Sequence, residues 1–192
     1  MRMLKHLFIS KVRISILDTY MSNLDAAHHV RGLVRILNEE INAVRRELMN
    51  LEKAGILKSK KEGNRVVYRV NKECPIIYDL RAIFYKESEK GEKIMEIAKG
   101  IEGVEVVVLT ESFIKKKHER DTDVDFLFIG KMKVKDLTNA VALLEKETGR
   151  VIRFSAITKE DFDFARKKRE PFLMNILEHD KIVLFGQIAD LL

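Results

Sequence analysis

The stretch from His29 to Val70 reads "HVRGLVRILNEEINAVRRELMNLEKAGILKSKKEGNRVVYRV". Apolar residues recur with the period of a helix as far as Leu37, and we expect Asp25 to cap that helix. Asn38 is expected to cap the next helix, whose first turn carries two acids, and Gly55 to end it. The predicted buried stripe of this second helix is Ile41, Val44, Leu48, Leu51 and Ala54.

The residues on either side of this pair of helices complete a larger pattern. Residues 10–21 have apolar positions on one face and are expected to form an earlier helix. Residues 56–70 predict two short strands joined by a turn at 62–64, where Gly and Asn tolerate a positive φ. Three helices followed by a basic hairpin closely resemble the winged helix–turn–helix of small bacterial and archaeal regulators, over residues 10–71.

This resemblance implies binding to double-stranded DNA, because a helix of this kind fits the major groove. Arginine and asparagine suit guanine and adenine edges, and lysines of the wing suit phosphates. The predicted DNA-contacting residues are Arg31, Arg35, Asn42, Arg45, Arg46, Lys58, Lys60, Lys61 and Arg65. An alternative is that Arg45 and Arg46 pair with Glu47 or Glu52 on a solvated face.

The charge distribution agrees with a polyanionic partner for the first half of the chain. Residues 1–85 hold 16 lysines and arginines against 9 acids, whereas residues 86–192 hold 20 against 21. Such an excess is typical of nucleic-acid binding, although a lysine- and glutamate-rich solvated surface also explains it.

Several function classes are disfavoured by composition. With 9 glycines and 2 prolines among 192 residues, the chain is not typical of a disordered protein. Cys74 stands alone, which excludes an internal disulfide and favours a reducing cytoplasm. Charges at Lys11 and Arg13 argue against a signal peptide, and no apolar run of about 18 residues predicts a membrane span.

The second half alternates strands and helices, which predicts an α/β layer. Expected strands are 104–109, 123–129, 151–157 and 181–186. Expected helices are one that ends near Gly100–Gly103, one at 133–148 capped by Gly149, and one that starts after Thr158, with residues 172–179 continuing helical after Pro171. Between the first two strands, Thr110-Glu111-Ser112 is followed by Asp123-Val124-Asp125. Residues i and i+2 of a strand share a face, so Asp123 and Asp125 are expected to hold Mg²⁺ together.

These pieces resemble the minimal nucleotidyltransferase domain of the DNA polymerase β superfamily. The tail at 164–186, "FARKKREPFLMNILEHDKIVLFG", resembles the ending of archaeal proteins that fuse a winged helix to such a domain. The resemblance implies a site for Mg²⁺ and a nucleoside triphosphate, with Ser112, Asp123 and Asp125 as its remaining catalytic residues. Two departures indicate degeneration: the family's glycine is Glu111, and the strand at 151–157 carries no third acid. Alternatively, Asp123 only caps the preceding loop and Asp125 pairs with a lysine.

A basic run, Lys115 to Arg120, lies between these two pieces. It is expected either to neutralise phosphates in place of the lost loop amides or to be a solvated loop.

The sequence thus predicts an α+β or α/β protein of two domains, a winged helix at 1–85 and a nucleotidyltransferase-like domain at 86–192. The expected function is a cytoplasmic DNA-binding transcriptional regulator, whose second domain senses a ligand or contacts a partner. The alternative is a metal-dependent nucleotidyltransferase that modifies a protein partner. A homodimer is expected by analogy, with Met1–Ile9 or Ile76–Tyr85 as its seam, unless the latter segment packs against the second domain.

Overall fold

The computed structural model describes residues 3–187 of the chain. It has a mixed α+β architecture that divides into two compact units, the first ending at Glu89 and the second beginning at Lys90. Among the described residues, none of the helices combines the length and apolar character that a bilayer crossing requires.

The first unit packs its helices around a small antiparallel sheet in the order β1-β3-β2. Tyr20 lies in its core, where the phenolic hydroxyl donates to the Tyr68 carbonyl at 3.0 Å. The elements are α1 (Leu4–Leu7), α2 (Lys11–Ser22), β1 (Ala27–His29), α3 (Val30–Leu37), α4 (Ile41–Lys53), β2 (Leu57–Glu62), β3 (Arg65–Val70) and α5 (Ile77–Lys86).

The hairpin β2–β3 forms as predicted. Glu62 pairs with Arg65 in register, and Gly63 between them has a φ of 58°. That left-handed conformation favours glycine, since a Cβ would be strained there. The predicted end of α4 is also confirmed, because Gly55 follows its C-cap with a φ of 74°.

The predicted start of α3 at Asp25 is wrong. Residues 27–29 instead form β1, which pairs with β3 so that His29 faces Val67. His29 is the cap, its Nδ1 accepting the Gly32 N–H at 2.8 Å. The Asp25 carboxylate instead accepts from Lys72 Nζ at 2.5 Å. The pairing of residues 27–29 with β3 therefore moved the start of the helix past the position that local capping preference favoured.

The predicted cap of α4 is wrong as well. Asn38 ends α3 in a left-handed conformation, with a φ of 52°. Glu40 caps α4, and its carboxylate accepts the N–H groups of Asn42 and Ala43 at 2.7 and 2.9 Å. Of the predicted stripe, Val44, Leu48 and Leu51 are buried, whereas Ile41 is half-buried and Ala54 is exposed.

The second unit is a mixed sheet in the order β6-β5-β4-β7 with helices beside it. β4 is antiparallel to β5 and β7, and β5 is parallel to β6. One face of the sheet packs against Phe162, Leu173 and Ile176 of the last two helices. The elements are α6 (Glu89–Lys99), β4 (Val104–Leu109), α7 (Glu111–Lys115), β5 (Phe126–Gly130), α8 (Val134–Thr148), β6 (Phe154–Ile157), α9 (Lys159–Lys167), α10 (Pro171–Glu178) and β7 (Ile182–Phe185).

Two predicted strands begin later than expected. β5 starts at Phe126, so both aspartates precede it, and β6 starts at Phe154. The physical reason is local: the N–H groups of Asp125 and Phe126 both donate to the Arg153 carbonyl, at 2.7 and 3.2 Å. Regular pairing of the two strands therefore begins only beyond this shared acceptor.

Candidate functional site

The exposed face of α4 carries the predicted DNA-contacting side chains. Asn42, Arg45 and Arg46 are all exposed, while Val44 and Leu48 anchor the opposite face in the core. Within residues 3–187, the side chains of Arg45 and Arg46 form no hydrogen bond or ion pair with another residue.

The acids that would neutralise these arginines have other partners. Glu47 is buried, and its Oε2 accepts from Arg13 Nε of α2 at 2.8 Å. Glu52 Oε1 accepts from Ser59 Oγ on β2 at 2.5 Å. Neither of the two acids considered as partners for Arg45 and Arg46 contacts them, so this face of α4 keeps its positive charge.

The Arg13–Glu47 pair links α2 to α4. Burial disfavours the Glu47 carboxylate, but hydrogen bonds from Arg13, Ser10 and Asn50 outweigh this effect and hold the pKa of Glu47 below its usual value. The carboxylate is therefore ionised near neutral pH and fixes the position of α4 against α2.

The hairpin adds further exposed cations. Lys60 and Lys61 lie on β2 and are exposed, whereas Lys58 forms an ion pair with Glu73 at 2.5 Å. Arg65 Nη1 lies 3.3 Å from His29 Nε2, which joins the start of β3 to the start of α3.

The remaining predicted residues lie on α3. Arg31 and Arg35 are exposed four residues apart, and therefore near one face of that helix. All nine predicted DNA-contacting residues thus lie on α3, α4 and the hairpin of one compact unit. Among these nine described residues, Lys58 is the one that forms an ion pair with an acid.

In the second unit, Asp123 organises the loop that precedes it. Its Oδ2 accepts the N–H groups of Glu119 and Arg120 at 2.9 and 3.0 Å, and its Oδ1 accepts from Arg120 Nε at 3.0 Å. Burial alone would raise the pKa of Asp123, but these hydrogen bonds hold it below the usual value. This is the loop-capping arrangement considered above as the alternative.

Asp125 is completely buried and fully engaged. Its Oδ1 accepts from Arg150 Nη2 at 2.7 Å, and its Oδ2 lies 3.1 Å from His118 Nε2 and 3.0 Å from the Arg153 N–H. The partner of this carboxylate is therefore an arginine and a histidine, where the alternative considered above had a lysine.

The two carboxylates as arranged do not fit a magnesium site. Each oxygen of Asp123 and Asp125 accepts from a protein donor, and a cation at Asp125 would meet the positive charge of Arg150, whose Nη2 lies 2.7 Å from Asp125 Oδ1. Within residues 3–187, no group of three or more His, Cys, Asp or Glu side chains is arranged to hold a metal ion.

A cleft of about 550 Å³ opens beside Asp123. Ser112 and Glu111 of α7 form part of its wall, and the start of α10 forms another part. Thr110 and Val124 also line the cleft, and the Thr110 hydroxyl donates to the Val124 carbonyl. The volume falls within the range of about 300–1,000 Å³ that is usual for small-ligand sites.

The basic run beside this cleft is mostly neutralised by acids. Lys115 pairs with Glu111 at 2.7 Å, Lys117 with Glu119 at 3.1 Å, and Arg120 with Asp123 at 3.0 Å. The cleft wall therefore presents paired charges and no free excess of positive charge for a triphosphate.

Sequence reasoning missed three residues that build these sites. Arg13 positions Glu47, while His118 and Arg150 enclose Asp125. Arg13 and Arg150 lie 34 and 25 residues from the acids they bind, so no local spacing signals them. His118 belonged to the basic run but carried no sign of its acidic partner.

Comparison with known proteins yields one partial similarity of interest. The chain is 46% identical over 48 residues to an uncharacterized HTH-type transcriptional regulator of Methanocaldococcus jannaschii. The matched part is 25% of this chain and 12% of that protein, so the chain spans only a small fraction of the relative's length. No protein family model matches the chain, and no solved structure matches it. The similarity supports a relation to helix–turn–helix regulators.

Proposed function

We propose that this protein is a DNA-binding transcriptional regulator whose first unit is a winged helix. In this proposal α4 enters the major groove, the β2–β3 hairpin contacts flanking phosphates, and α3 contacts the backbone. The name of the M. jannaschii relative supports a role of this kind.

The observation that carries the proposal is the unpaired state of Arg45 and Arg46. The nearby acids Glu47 and Glu52 bind Arg13 and Ser59, and the arginines extend from a helix anchored on its other face. Exposed arginine side chains on a fixed helix suit bidentate contacts to guanine or contacts to phosphate.

Fluorescence anisotropy of a duplex, measured as a function of salt, tests the proposal. Arg45→Ala with Arg46→Ala should reduce the slope of log K against log salt by about 1.8, if each arginine neutralises one phosphate. A control with equal charge loss, Lys135→Ala with Lys146→Ala on exposed positions of α8, should leave the slope unchanged. Absence of duplex binding at low salt would refute the proposal.

We also propose that the protein binds DNA as a two-fold homodimer. Leu7 at the end of α1, Ile9 two residues beyond it, and Ile76 and Ile83 at α5 are exposed apolar side chains that such a seam would cover. Half-sites about one helical turn apart would then match the symmetry of the dimer. Of the segment at 1–9 expected as a seam, residues 1 and 2 lie outside the described residues.

For the second unit we propose a degenerate nucleotidyltransferase-like module that senses a ligand or contacts a partner. The engagement of Asp125 by Arg150 and His118 supports loss of metal-dependent transfer. The cleft beside Asp123 supports retention of a ligand site. A thermal-shift panel of nucleotides, with and without Mg²⁺, tests it, because a ligand that binds only the folded state raises the midpoint.

Nucleotidyl transfer to a protein remains the competing function, since Ser112 and Asp123 both line the cleft. Incubation with labelled nucleoside triphosphate and Mg²⁺ or Mn²⁺ separates the two. We expect no label on the protein or on added proteins. Incorporation that disappears in Asp123→Ala would overturn the assignment of a sensing module.

A further inference from the structure

A cluster of cationic side chains surrounds Phe113, outside the cleft described above. Lys90 Nζ lies 6.0 Å from the centroid of the Phe113 ring, and Arg150 Cζ lies 4.8 Å from it. The Phe113 carbonyl accepts from both Arg150 Nη2 and the Lys116 N–H, each at 3.3 Å. The start of α6 and the segment after α8 therefore bring two cationic groups to the Phe113 ring, and Lys116 follows Phe113 by three residues as the C-cap of α7.

Only part of this positive charge is balanced. Arg150 pairs with Asp125, whereas Lys90 and Lys116 form no ion pair within the described residues 3–187. Burial, together with the charges of Lys116 and Arg150, lowers the pKa of Lys90 from its ordinary value. Neighbouring like charges disfavour each other's charged forms, and a bound anion relieves that repulsion.

The position of the cluster is set by the backbone. Lys116 is the C-cap of α7 in a left-handed conformation, with a φ of 55°, and its N–H bonds anchor it to the preceding turn. Arg150 follows Gly149, the left-handed C-cap of α8, and the buried Asp125 holds its guanidinium. The Lys116 backbone and the Arg150 guanidinium are thus held in place by the protein itself.

We propose that Lys90, Lys116 and Arg150 form a binding site for a phosphate group. Glu147 offsets the charge of Lys90 only in part, so Lys90 and Lys116 leave an excess of positive charge that suits a phosphate group. The guanidinium nitrogens of Arg150 that Asp125 leaves free supply donors of the geometry that phosphate oxygens accept. The phosphate comes either from a free small molecule or from a nucleic-acid backbone, and these share the same chemistry.

Thermal unfolding of the full chain in inorganic phosphate, compared with chloride at equal ionic strength, tests the site through the difference between wild type and variants, because phosphate also stabilises folded proteins by exclusion from their surface. Phosphate should raise the midpoint of the wild type as its concentration increases. Lys90→Ala with Lys116→Ala should weaken apparent phosphate affinity by at least about tenfold, as expected for loss of charge-assisted hydrogen bonds. Lys135→Ala with Lys146→Ala is the charge-matched control and should keep the wild-type response.

Salt-dependent duplex binding distinguishes the two sources. A backbone phosphate at this site predicts a slope smaller by about 0.9 in the Lys90/Lys116 double variant. If the ligand is a free phosphate compound, the slope of log K against log salt should be unchanged in the double variant, while phosphate still raises the unfolding midpoint of the wild type. If the Lys90/Lys116 double variant keeps the wild-type response to phosphate, and the slope is also unchanged, the proposed site is refuted.

Discussion

Replacement of Asp125 by alanine should be among the most damaging single changes in the second unit. The carboxylate is completely buried, and it accepts from Arg150, His118 and the Arg153 N–H. Loss of one partner of a buried ion pair costs about 3–5 kcal/mol, because the remaining charge stays desolvated. The side chains of Arg150 and His118 are 25% and 23% exposed, so water can partly solvate them and the lower end applies.

We therefore expect Asp125→Ala to lower the free energy of unfolding by about 3 kcal/mol. For a unit of roughly 100 residues this corresponds to a fall in midpoint of about 12–24 °C. Thermal and urea unfolding followed by circular dichroism measures it. Asp121→Ala, at an exposed position of the same loop, is the matched control and should change stability by less than about 0.5 kcal/mol.

A double-mutant cycle sharpens the test. If the cost comes from an uncompensated Arg150, removing Arg150 as well should recover part of the loss, with a coupling of about 1–3 kcal/mol. Asp125→Asn keeps the shape but not the charge and should fall between the wild type and the alanine variant. A value for Asp125→Ala that matches the Asp121→Ala control would refute the reasoning.

Three further predictions concern the first unit. Glu47→Gln should cost about 1–2 kcal/mol near pH 7, from a weakened hydrogen bond to Arg13. Because folding lowers the pKa of Glu47, this contribution to stability is present above the unfolded pKa and is lost as the pH falls through the folded pKa. The free energies of unfolding of wild type and variant in urea should therefore converge under acidic conditions. A difference between them that stays constant with pH would contradict the assignment. Gly63→Ala should cost about 1–2 kcal/mol from the left-handed backbone alone, since an added Cβ meets nothing within 4 Å; unchanged urea midpoints would exclude that strain. Ile9→Glu should weaken self-association in sedimentation equilibrium, whereas Leu143→Glu, also at an exposed apolar position, should not; equal effects would argue against a seam near α1.

The elements of the first unit that sequence predicted correctly depend on local chemistry. The hairpin turn needs a positive φ at Gly63, and the end of α4 needs one at Gly55. Because glycine adopts a positive φ readily, its presence in the sequence indicates both positions. The caps at Asp25 and Asn38 were wrong for the opposite reason. Several nearby polar residues could satisfy the same N–H groups, and strand pairing of residues 27–29 with β3 selected His29.

The candidate sites divide in the same way. Periodicity alone assigned Asn42, Arg45 and Arg46 to the outer face of α4, because a helix that buries Val44 and Leu48 must expose them. Whether those arginines are free depended on Arg13, which comes from a different helix.

By itself, the sequence determined the three main helices and the hairpin of the first half, the alternation of strands and helices in the second half, the basic first half and the exposed arginines, since each follows from composition or from spacing between near neighbours. It did not predict β1 or α7. Only the tertiary structure decided the roles of the aspartates. The i, i+2 spacing predicted that the two aspartates hold a metal ion together. In the structure, Asp123 accepts hydrogen bonds from its own loop and Asp125 accepts from Arg150. The physical reason is that a buried carboxylate requires donors, and which donors reach it depends on how distant segments pack.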